Sequence, residues 1–362
     1  MLVSPFAPSR TKRTAFVANG SPPSLTFELK LECRCSIQKQ KASHCEAFCL
    51  GALYFPYSHF ISRYQTMSEL RAHIANCTVA GMEFSEYGHS AIRDTINFEI
   101  NGRIFILKQN RNIVEGKLQE FKGLFCETTE LIINNVKEND LIEIESDIHK
   151  FCWLLSFACL SNVVFYGYDY AGNQNTGRRW AASGKLAFSR PTIEIRDGGI
   201  VKSFVEQTFN NYKSLENPRK LNVAIHYMLL IENNNLPIEA KLALSFVLLE
   251  SLKSSFAHSN DIKYINNYFR KGDNPTKNSE KYSFKELLEM MFNEVGIAKD
   301  LSQVKTIRDE IIHSGLTQLH QDCAVKLHDD IHDLCREYLL KLLGYNGEYL
   351  LYSSGSNTIA TI

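Results

Sequence analysis

The stretch "DTINFEINGRIFILKQ" (residues 94–109) decides how the first half of this chain folds. Apolar and polar residues alternate along it, which is the pattern of a half-buried β-strand. Asn101-Gly102 stands at its centre, and this dipeptide between two alternating runs is a strong signal for a tight β-hairpin. The stretch therefore predicts two antiparallel strands joined by a short turn.

Further strands are predicted on the C-terminal side of the hairpin. "TTELIINNV" (128–136) and "NVVFYGYDY" (162–170) are rich in residues that favour strands. Between them, apolar residues recur at the spacing of one helical face: Leu141, Ile144, Ile148, Phe151, Leu154, Leu155 and Ala158. We expect one helix to pack on a sheet, so that residues 67–198 form an α+β module.

The pattern becomes helical after "RDGGIVK" (196–202). Pro218 and Pro237 are expected at helix starts, where the missing N–H does no harm. The sequence predicts an all-α helical bundle over residues 199–350, followed by a tail at 351–362. The helical periods cover residues 200–213, 218–232, 237–257, 283–293, 297–313 and 319–343.

Composition limits the classes of function. The chain has 362 residues, of which 44% are hydrophobic and 22% charged, and its formal net charge is zero. No apolar run reaches the roughly 20 residues that a membrane-spanning helix needs, so no membrane partner is expected. Because the whole chain is not basic, any nucleic-acid binding must be local.

The first 66 residues read poorly as a domain. They carry eight Lys and Arg residues and three acidic ones. The sequence "MSELRAHIANC", which follows from Met67, resembles the usual N-terminus of a protein. We interpret residues 1–66 as an appendage or as an upstream extension that is not part of the native protein. No secretory signal pattern is present at the N-terminus.

The ten cysteines fall into two groups. Four of them cluster near His44 at a spacing unlike that of a common zinc site: Cys33, Cys35, Cys45 and Cys49. The other six lie mostly in apolar stretches, as buried free thiols do, which indicates a reducing compartment and a cytoplasmic location.

Two other stretches offer alternative chemistry. In "HDDIH" (328–332), His328 and His332 share a helix face and could hold zinc, but no third ligand follows. We favour a solvated His/Asp face there. "GRRWAAS" (177–183) places two arginines beside Trp180, a combination that suits phosphate contact and base stacking.

The segment "KTIRDEIIHSG" (305–315) contains an arginine where an apolar residue is expected. Ile297, Leu301, Val304 and Ile311 mark one helical face, and position 308 belongs to the same face. A structural explanation is that the Arg308 side chain extends out to solvent, or that it pairs with a carboxylate of a neighbouring helix, such as Glu250 or Glu286. His313 would then be a cation at the helix C-terminus, where it suits the helix dipole.

The segment "LSQVKTIRDEIIHSG" (301–315), the long helix after it and "LLGYNGEYL" (342–350) resemble the HEPN superfamily, particularly its ApeA-like branch. The hallmark of that superfamily is an arginine, usually followed by a polar residue, and a histidine after four to six residues. Arg308, Asp309 and His313 match these positions. A second spacing match, Arg219 to His226, lacks the polar residue, the Ser-Gly stop and the long following helix, and we reject it.

The resemblance implies a HEPN-type helical domain that forms a homodimer and cleaves RNA without metal or cofactor, in anti-phage or stress defence. The N-terminal α+β module would be its sensor or regulator, on which an unknown trigger would act. Histidine can act as general acid or base, and arginine offers a forked charge to phosphoryl oxygens. A non-catalytic module that binds RNA or protein is the alternative. Arg308 and His313 stand about 140° apart on a straight helix, so they converge only if the helix unwinds or two chains combine. Asp309, four residues before His313, can reach it, so we expect the aspartate to orient the imidazole.

Overall fold

The hairpin predicted at Asn101-Gly102 is present in the computed structural model, which describes residues 68–87, 90–110, 124–176, 190–355 and 358–362. Strands β3 (Ser90–Ile100) and β4 (Arg103–Gln109) pair antiparallel on either side of the turn. Asn101 and Gly102 have φ values of 51° and 73°. Both residues therefore adopt the left-handed conformation that a two-residue hairpin turn requires.

This hairpin belongs to a seven-stranded antiparallel sheet with the order β2-β3-β4-β5-β1-β6-β7. Strand β1 lies between β5 and β6, although it comes first in the sheet's chain order, and it carries the buried residues Leu70, Ala72 and Ile74. The predicted strands at 128–136 and 162–170 are confirmed. The remaining strands are β1 (Ser68–Ala75), β2 (Glu83–Tyr87), β5 (Glu127–Val136), β6 (Val164–Tyr170) and β7 (Asn173–Thr176).

Helix α1 (Leu141–Cys159) connects β5 to β6. The ring of Phe151 meets Phe98 of β3 and Phe105 of β4 edge to face, with centroids 5.0 Å and 5.9 Å away. The expectation of one helix on the sheet is confirmed, and the N-terminal half of the described chain is rich in sheet.

The C-terminal half is helical, as predicted. Pro237 caps the start of its helix, but Pro218 lies in the last turn of the helix before it, so its predicted position at a helix start is wrong. The break occurs at Lys220, whose φ of 52° ends the helix. The helices are α2 (Gly198–Arg219), α3 (Leu221–Ile231), α4 (Ile238–Ser259), α5 (Phe284–Glu294), α6 (Ser302–Ser314) and α7 (Gln321–Leu342).

Among the described residues, two short strand pairs complete the helical half. Strands β8 (Tyr264–Ile265) and β9 (Tyr268–Phe269) form a small hairpin after α4. Strands β10 (Glu348–Leu351) and β11 (Thr358–Thr361) pair antiparallel. Strand β11 lies within the segment predicted as a tail, and β10 ends at the first residue of that segment.

One continuous hydrophobic core joins the sheet, α1 and the helices. Helix α2 packs against α1 and β3, and the backbone N–H of Glu99 donates to the Glu206 carboxylate at 2.7 Å. The described residues therefore form one compact unit, and the boundary between residues 198 and 199 stays a prediction. Within those residues, no helix has the length and apolar character needed to cross a membrane.

Residues 1–66 lie outside the described residues, as do the cysteine cluster with His44 and the stretch from Arg178 to Trp180. The predictions made for them stay predictions.

Candidate functional site

Helix α6 carries all three residues of the predicted motif. It buries Val304, Ile307 and Ile311, and it begins at Ser302 rather than at residue 297. Gly315 ends the helix with a φ of 71°, and its N–H donates to the carbonyl of Ile311. The Ser-Gly stop expected from the sequence is confirmed, because only a residue tolerant of positive φ fits there.

Arg308 lies at the edge of the buried face, with 26% of its side chain exposed. One guanidinium nitrogen donates to the Glu250 carboxylate of α4 at 2.5 Å, and another donates to Asp309 at 2.6 Å. The guanidinium carbon lies 4.6 Å from the centre of the Phe284 ring. Of the structural alternatives considered for Arg308, the pairing with Glu250 is therefore the one present. The two carboxylates and the ring fix the orientation of the planar guanidinium.

Glu286, the other partner considered for Arg308, has a different role. Its carboxylate accepts from Lys271 at 2.7 Å and from the N–H of Ser283, whose hydroxyl in turn accepts from the N–H of Glu286. The hydrogen bonds from Lys271 and Ser283 lower the pKa of Glu286 to about 2. Glu286 therefore closes the N-terminal capping box of α5 and stays ionised.

His313 is exposed at the last turn of α6. Within the described residues, its imidazole makes no hydrogen bond or ion pair. Asp309 was expected to orient this imidazole, but its carboxylate accepts a hydrogen bond from Arg308 instead. One chain therefore presents Arg308 and His313 on different sides of the same helix and does not bring them together.

Two exposed apolar side chains flank His313 in the sequence. Ile312 is 49% exposed and Leu316 is 63% exposed. Burial of exposed apolar side chains against a partner is favourable, so both residues can contribute to an interaction surface. We call Ile312, His313 and Leu316 the α6 end surface.

Arg308 also lines a pocket of about 760 Å³ between α4, the β8–β9 hairpin, α5 and α6. This volume lies in the range of small-molecule sites. The lining holds three lysine and arginine side chains, a single acidic side chain, a histidine and several aromatic rings. These residues are Glu250, Lys253, Ser254, His258, Tyr264, Asn267, Tyr268, Phe269, Lys281, Tyr282, Ser283, Phe284, Leu287 and Arg308.

The β8–β9 hairpin, which contributes to the pocket lining, is fixed by its turn and by a buried arginine. Asn266 and Asn267 turn the β8–β9 hairpin with φ values of 50° and 64°. Arg270, only 5% exposed, donates to the carbonyls of Ile265 and Ser279. The buried Arg270 thus links the hairpin to the following loop. Its two hydrogen bonds stabilise this part of the pocket wall in addition to the pairing of β8 with β9.

The charges in the pocket are unevenly compensated. Glu250 binds both Lys253 and Arg308, at 2.5 Å each. The ammonium of Lys281 lies 3.4 Å above the centre of the Tyr268 ring and, within the described residues, makes no ion pair with a carboxylate. The pocket therefore carries more positive than negative charge.

The pocket was not predicted from the sequence. Lys253 and His258 lie on α4, Tyr264 begins β8 and Lys281 precedes α5, and none of them belongs to a recognised motif. Lys281 ends the polar stretch "KGDNPTKNSEK" (271–281), which resembles an ordinary connection between helices. Only the tertiary fold brings these side chains together.

The prediction that the His/Asp face at 328–332 is solvated is wrong. His328 is 3% exposed and His332 is 1% exposed, because Arg190 and Glu232 cover this face of α7. The Arg190 guanidinium binds Glu232 at 3.1 Å and Asp329 at 2.5 Å. The residues therefore belong to a buried ion network.

This network is a structural element of the helical half. Arg336, fully buried, binds Asp333 at 2.5 Å and Glu232 at 3.3 Å. Burial, followed by the charges of Arg336, His328 and Arg190, lowers the pKa of His332 well below its usual value. In the described ranges, no group of three or more His, Cys, Asp or Glu side chains could hold a metal ion.

The rejected second match is divided between two helices. Arg219 ends α2, is buried, and binds Glu294 of α5. His226 is exposed on α3. This arginine is a structural residue that links α2 to α5.

No family model matches this chain, no curated protein is significantly similar to it, and no solved structure matches its fold.

Proposed function

We propose that this protein is a metal-independent endoribonuclease of the HEPN type. The observation that carries the proposal is the placement of α6, which holds the forked guanidinium of Arg308 in a basic pocket and exposes His313 at its end. The motif spacing and the Ser-Gly stop support the same reading. A role in anti-phage or stress defence and a cytoplasmic location belong to the proposal.

The chemistry needs little from the protein, because RNA carries its own nucleophile. The 2′-oxygen forms a bond to phosphorus, the bond from phosphorus to the 5′-oxygen breaks, and the products are a 2′,3′-cyclic phosphate and a 5′-hydroxyl. His313 acts as general base or general acid in this proton transfer. Arg308 stabilises the charge that develops on the phosphoryl oxygens, and Asp309 orients its planar guanidinium.

A dimer would bring an Arg308 and a His313 to the same phosphate. Because Arg308 and His313 of one chain lie on different sides of α6, each site takes its arginine from one chain and its histidine from the other. The exposed Ile312 and Leu316 support a two-fold contact at the α6 end surface. In a symmetric dimer the same surface serves both subunits, so the arrangement gives two equivalent sites.

A second candidate function is a non-catalytic module of the HEPN type that binds RNA or a protein partner. The observation that favours it is the engagement of Arg308 by Glu250 and Asp309, which leaves two carboxylates beside the position where a phosphate would bind. In this case Arg308 is a structural residue of the pocket wall.

Cleavage of RNA by the purified full-length chain separates the two functions. We expect a labelled RNA to be cut in the presence of EDTA, with 2′,3′-cyclic phosphate ends, by the wild-type chain but not by His313→Ala. His226→Ala, which changes an exposed histidine on α3, is the matched control and should cut normally. RNA binding without cleavage by the wild-type chain would favour the non-catalytic module.

A further inference from the structure

Glu250 of α4 carries the carboxylate that joins two cations beside the motif helix. One of its oxygens accepts a hydrogen bond from Arg308 at 2.5 Å, and the other accepts one from Lys253 at 2.5 Å. Among the described residues that line the pocket, Glu250 is the only acidic side chain. A phosphoryl group that approached Arg308 would therefore also meet a negative charge, which repels it.

The two carboxylates that bind Arg308 differ in how they are attached. Asp309 is the next residue on α6, and its carboxylate accepts from Arg308 at 2.6 Å. Glu250 lies on α4, so a rotation of its side chain breaks the contact without any change in α6. Asp309 is therefore suited to orient the guanidinium, whereas Glu250 is suited to hold and release it.

Lys253 provides a second partner for Glu250 when Arg308 is released. Its side chain is only 11% exposed, and its ammonium lies 5.0 Å from the centre of the Phe284 ring, which Arg308 contacts at 4.6 Å. Because each cation binds its own oxygen of Glu250, the loss of one ion pair leaves the other intact. Lys253 thus lowers the cost of separating a partly buried carboxylate from Arg308.

Arg308 also has a donor that its present contacts leave unused. Its Nε is buried and has no hydrogen-bond partner among the described residues, whereas Nη1 and Nη2 are bound to Asp309 and Glu250. A buried donor without a partner is costly. Movement of Glu250 away from Nη2 would let one phosphoryl group accept from Nε and Nη2 together, as two donors in one plane.

We propose that Glu250 restrains Arg308 in the resting chain and that Lys253 holds the Glu250 carboxylate when Arg308 turns to a phosphoryl group. The inference rests on the proposed function, because it concerns the regulation of the arginine to which that function assigns phosphoryl binding. Glu250 and Lys253 act through Arg308 and are positioning residues. The exchange of partners keeps the activity of the resting chain below its full value.

Two measurements on the full-length protein test the restraint. The first is the rate at which phenylglyoxal modifies Arg308, followed by peptide mass spectrometry with the exposed Arg196 as internal reference. The reagent attacks guanidinium nitrogens, which a bound carboxylate shields. The second is the single-turnover rate of RNA cleavage. The first measurement requires no nuclease activity, and thermal unfolding shows that each variant is folded.

The variants are expected to act in opposite directions. Glu250→Gln keeps the side-chain shape but removes the charge, and both rates should rise about fivefold. Lys253→Met keeps much of the aliphatic stem but leaves Arg308 as the only cation on Glu250, so both rates should fall about threefold. The double variant should behave as Glu250→Gln does, because Lys253 acts only through Glu250.

Two controls keep the charges in place or remove one elsewhere. Lys253→Arg retains the cation and should restore both wild-type rates. Glu289→Gln removes the carboxylate of an ion pair with Lys285 on α5, at 3.6 Å and outside the pocket lining, and should change neither rate.

Failure of this inference can be told apart from failure of the proposed nuclease. If no variant cleaves RNA but the modification of Arg308 still follows the expected order, the restraint stands and the nuclease is wrong. The restraint is wrong if Glu250→Gln does not accelerate the modification of Arg308 or if Lys253→Met does not slow it. Slower RNA cleavage by a folded Glu250→Gln chain would also overturn the proposal, because Glu250 would then orient Arg308 for the reaction.

Discussion

Arg308 is the residue at which a structural and a catalytic role give different expectations. It binds Glu250 and Asp309 through separate nitrogens and lies over Phe284. Lysine keeps the positive charge and much of the aliphatic stem, but it cannot present two donors in one plane. The lysine variant therefore separates charge from geometry.

We expect Arg308→Lys to lower the rate of RNA cleavage about 100-fold while the chain stays folded, because a planar donor to the transition state is lost. Single-turnover cleavage kinetics and thermal unfolding measure the two effects. Lys305→Ala, an exposed position one turn earlier on α6, is the control and should change neither. An unchanged cleavage rate in Arg308→Lys would restrict Arg308 to a structural role.

His332 gives a prediction about stability and pH. Burial and the charges of Arg336, His328 and Arg190 lower its pKa in the folded chain, so the folded state keeps it neutral. The unfolded chain binds a proton at this position once the pH falls below about 6.5. The free energy of unfolding should therefore fall on acidification, by up to about 1.4 kcal/mol per pH unit from this group.

Replacing His332 by leucine should reduce this loss of stability between pH 7 and pH 5, as measured by urea unfolding across that range. His226→Leu changes an exposed histidine and should keep the wild-type pH dependence. The same pH dependence in His332→Leu and in the wild-type chain would mean that His332 is not the group responsible.

At the scale of elements, local signals were readable from the sequence and long-range contacts were mostly not. The Asn101-Gly102 turn depends only on two adjacent residues, and it was predicted correctly. The burial of His328 and His332 was missed because Arg190 and Glu232, which cover them, come from distant parts of the chain. Glu250 was named as a partner of Arg308, but nothing in the sequence chose it over Glu286.

The end of α6 is the element whose surface the proposed function depends on. Ile312 and Leu316 are exposed beside His313, and the proposed dimer covers them. Placing a carboxylate on either should disfavour the contact, because the charge would be desolvated in the interface.

We expect the double variant Ile312→Asp, Leu316→Asp to sediment as a monomer at concentrations where the wild-type chain is a dimer. Ile142→Asp, at an 85% exposed position on α1, is the control and should leave the dimer intact. A wild-type chain that is itself monomeric at micromolar concentration would contradict the proposed dimer.

At the scale of the whole molecule, the account depends on the combination of two chains. One chain holds Arg308 in the pocket and presents His313 at the helix end. Under the proposed function, neither subunit alone would contain a complete site. The sheet-rich half packs on α2 through the shared core, which gives a physical connection between the N-terminal half and the helices that carry the motif.

Mixing two inactive variants tests this central claim most directly. Arg308→Ala and His313→Ala chains are unfolded together, refolded together and assayed for RNA cleavage, with each variant refolded alone as the control. A site shared between chains predicts that the mixture regains activity, up to about a quarter of the wild-type level, because half of the dimers are mixed and each has one intact site. If the mixture stays as inactive as the separate variants although mixed dimers form, the two residues do not act across the dimer.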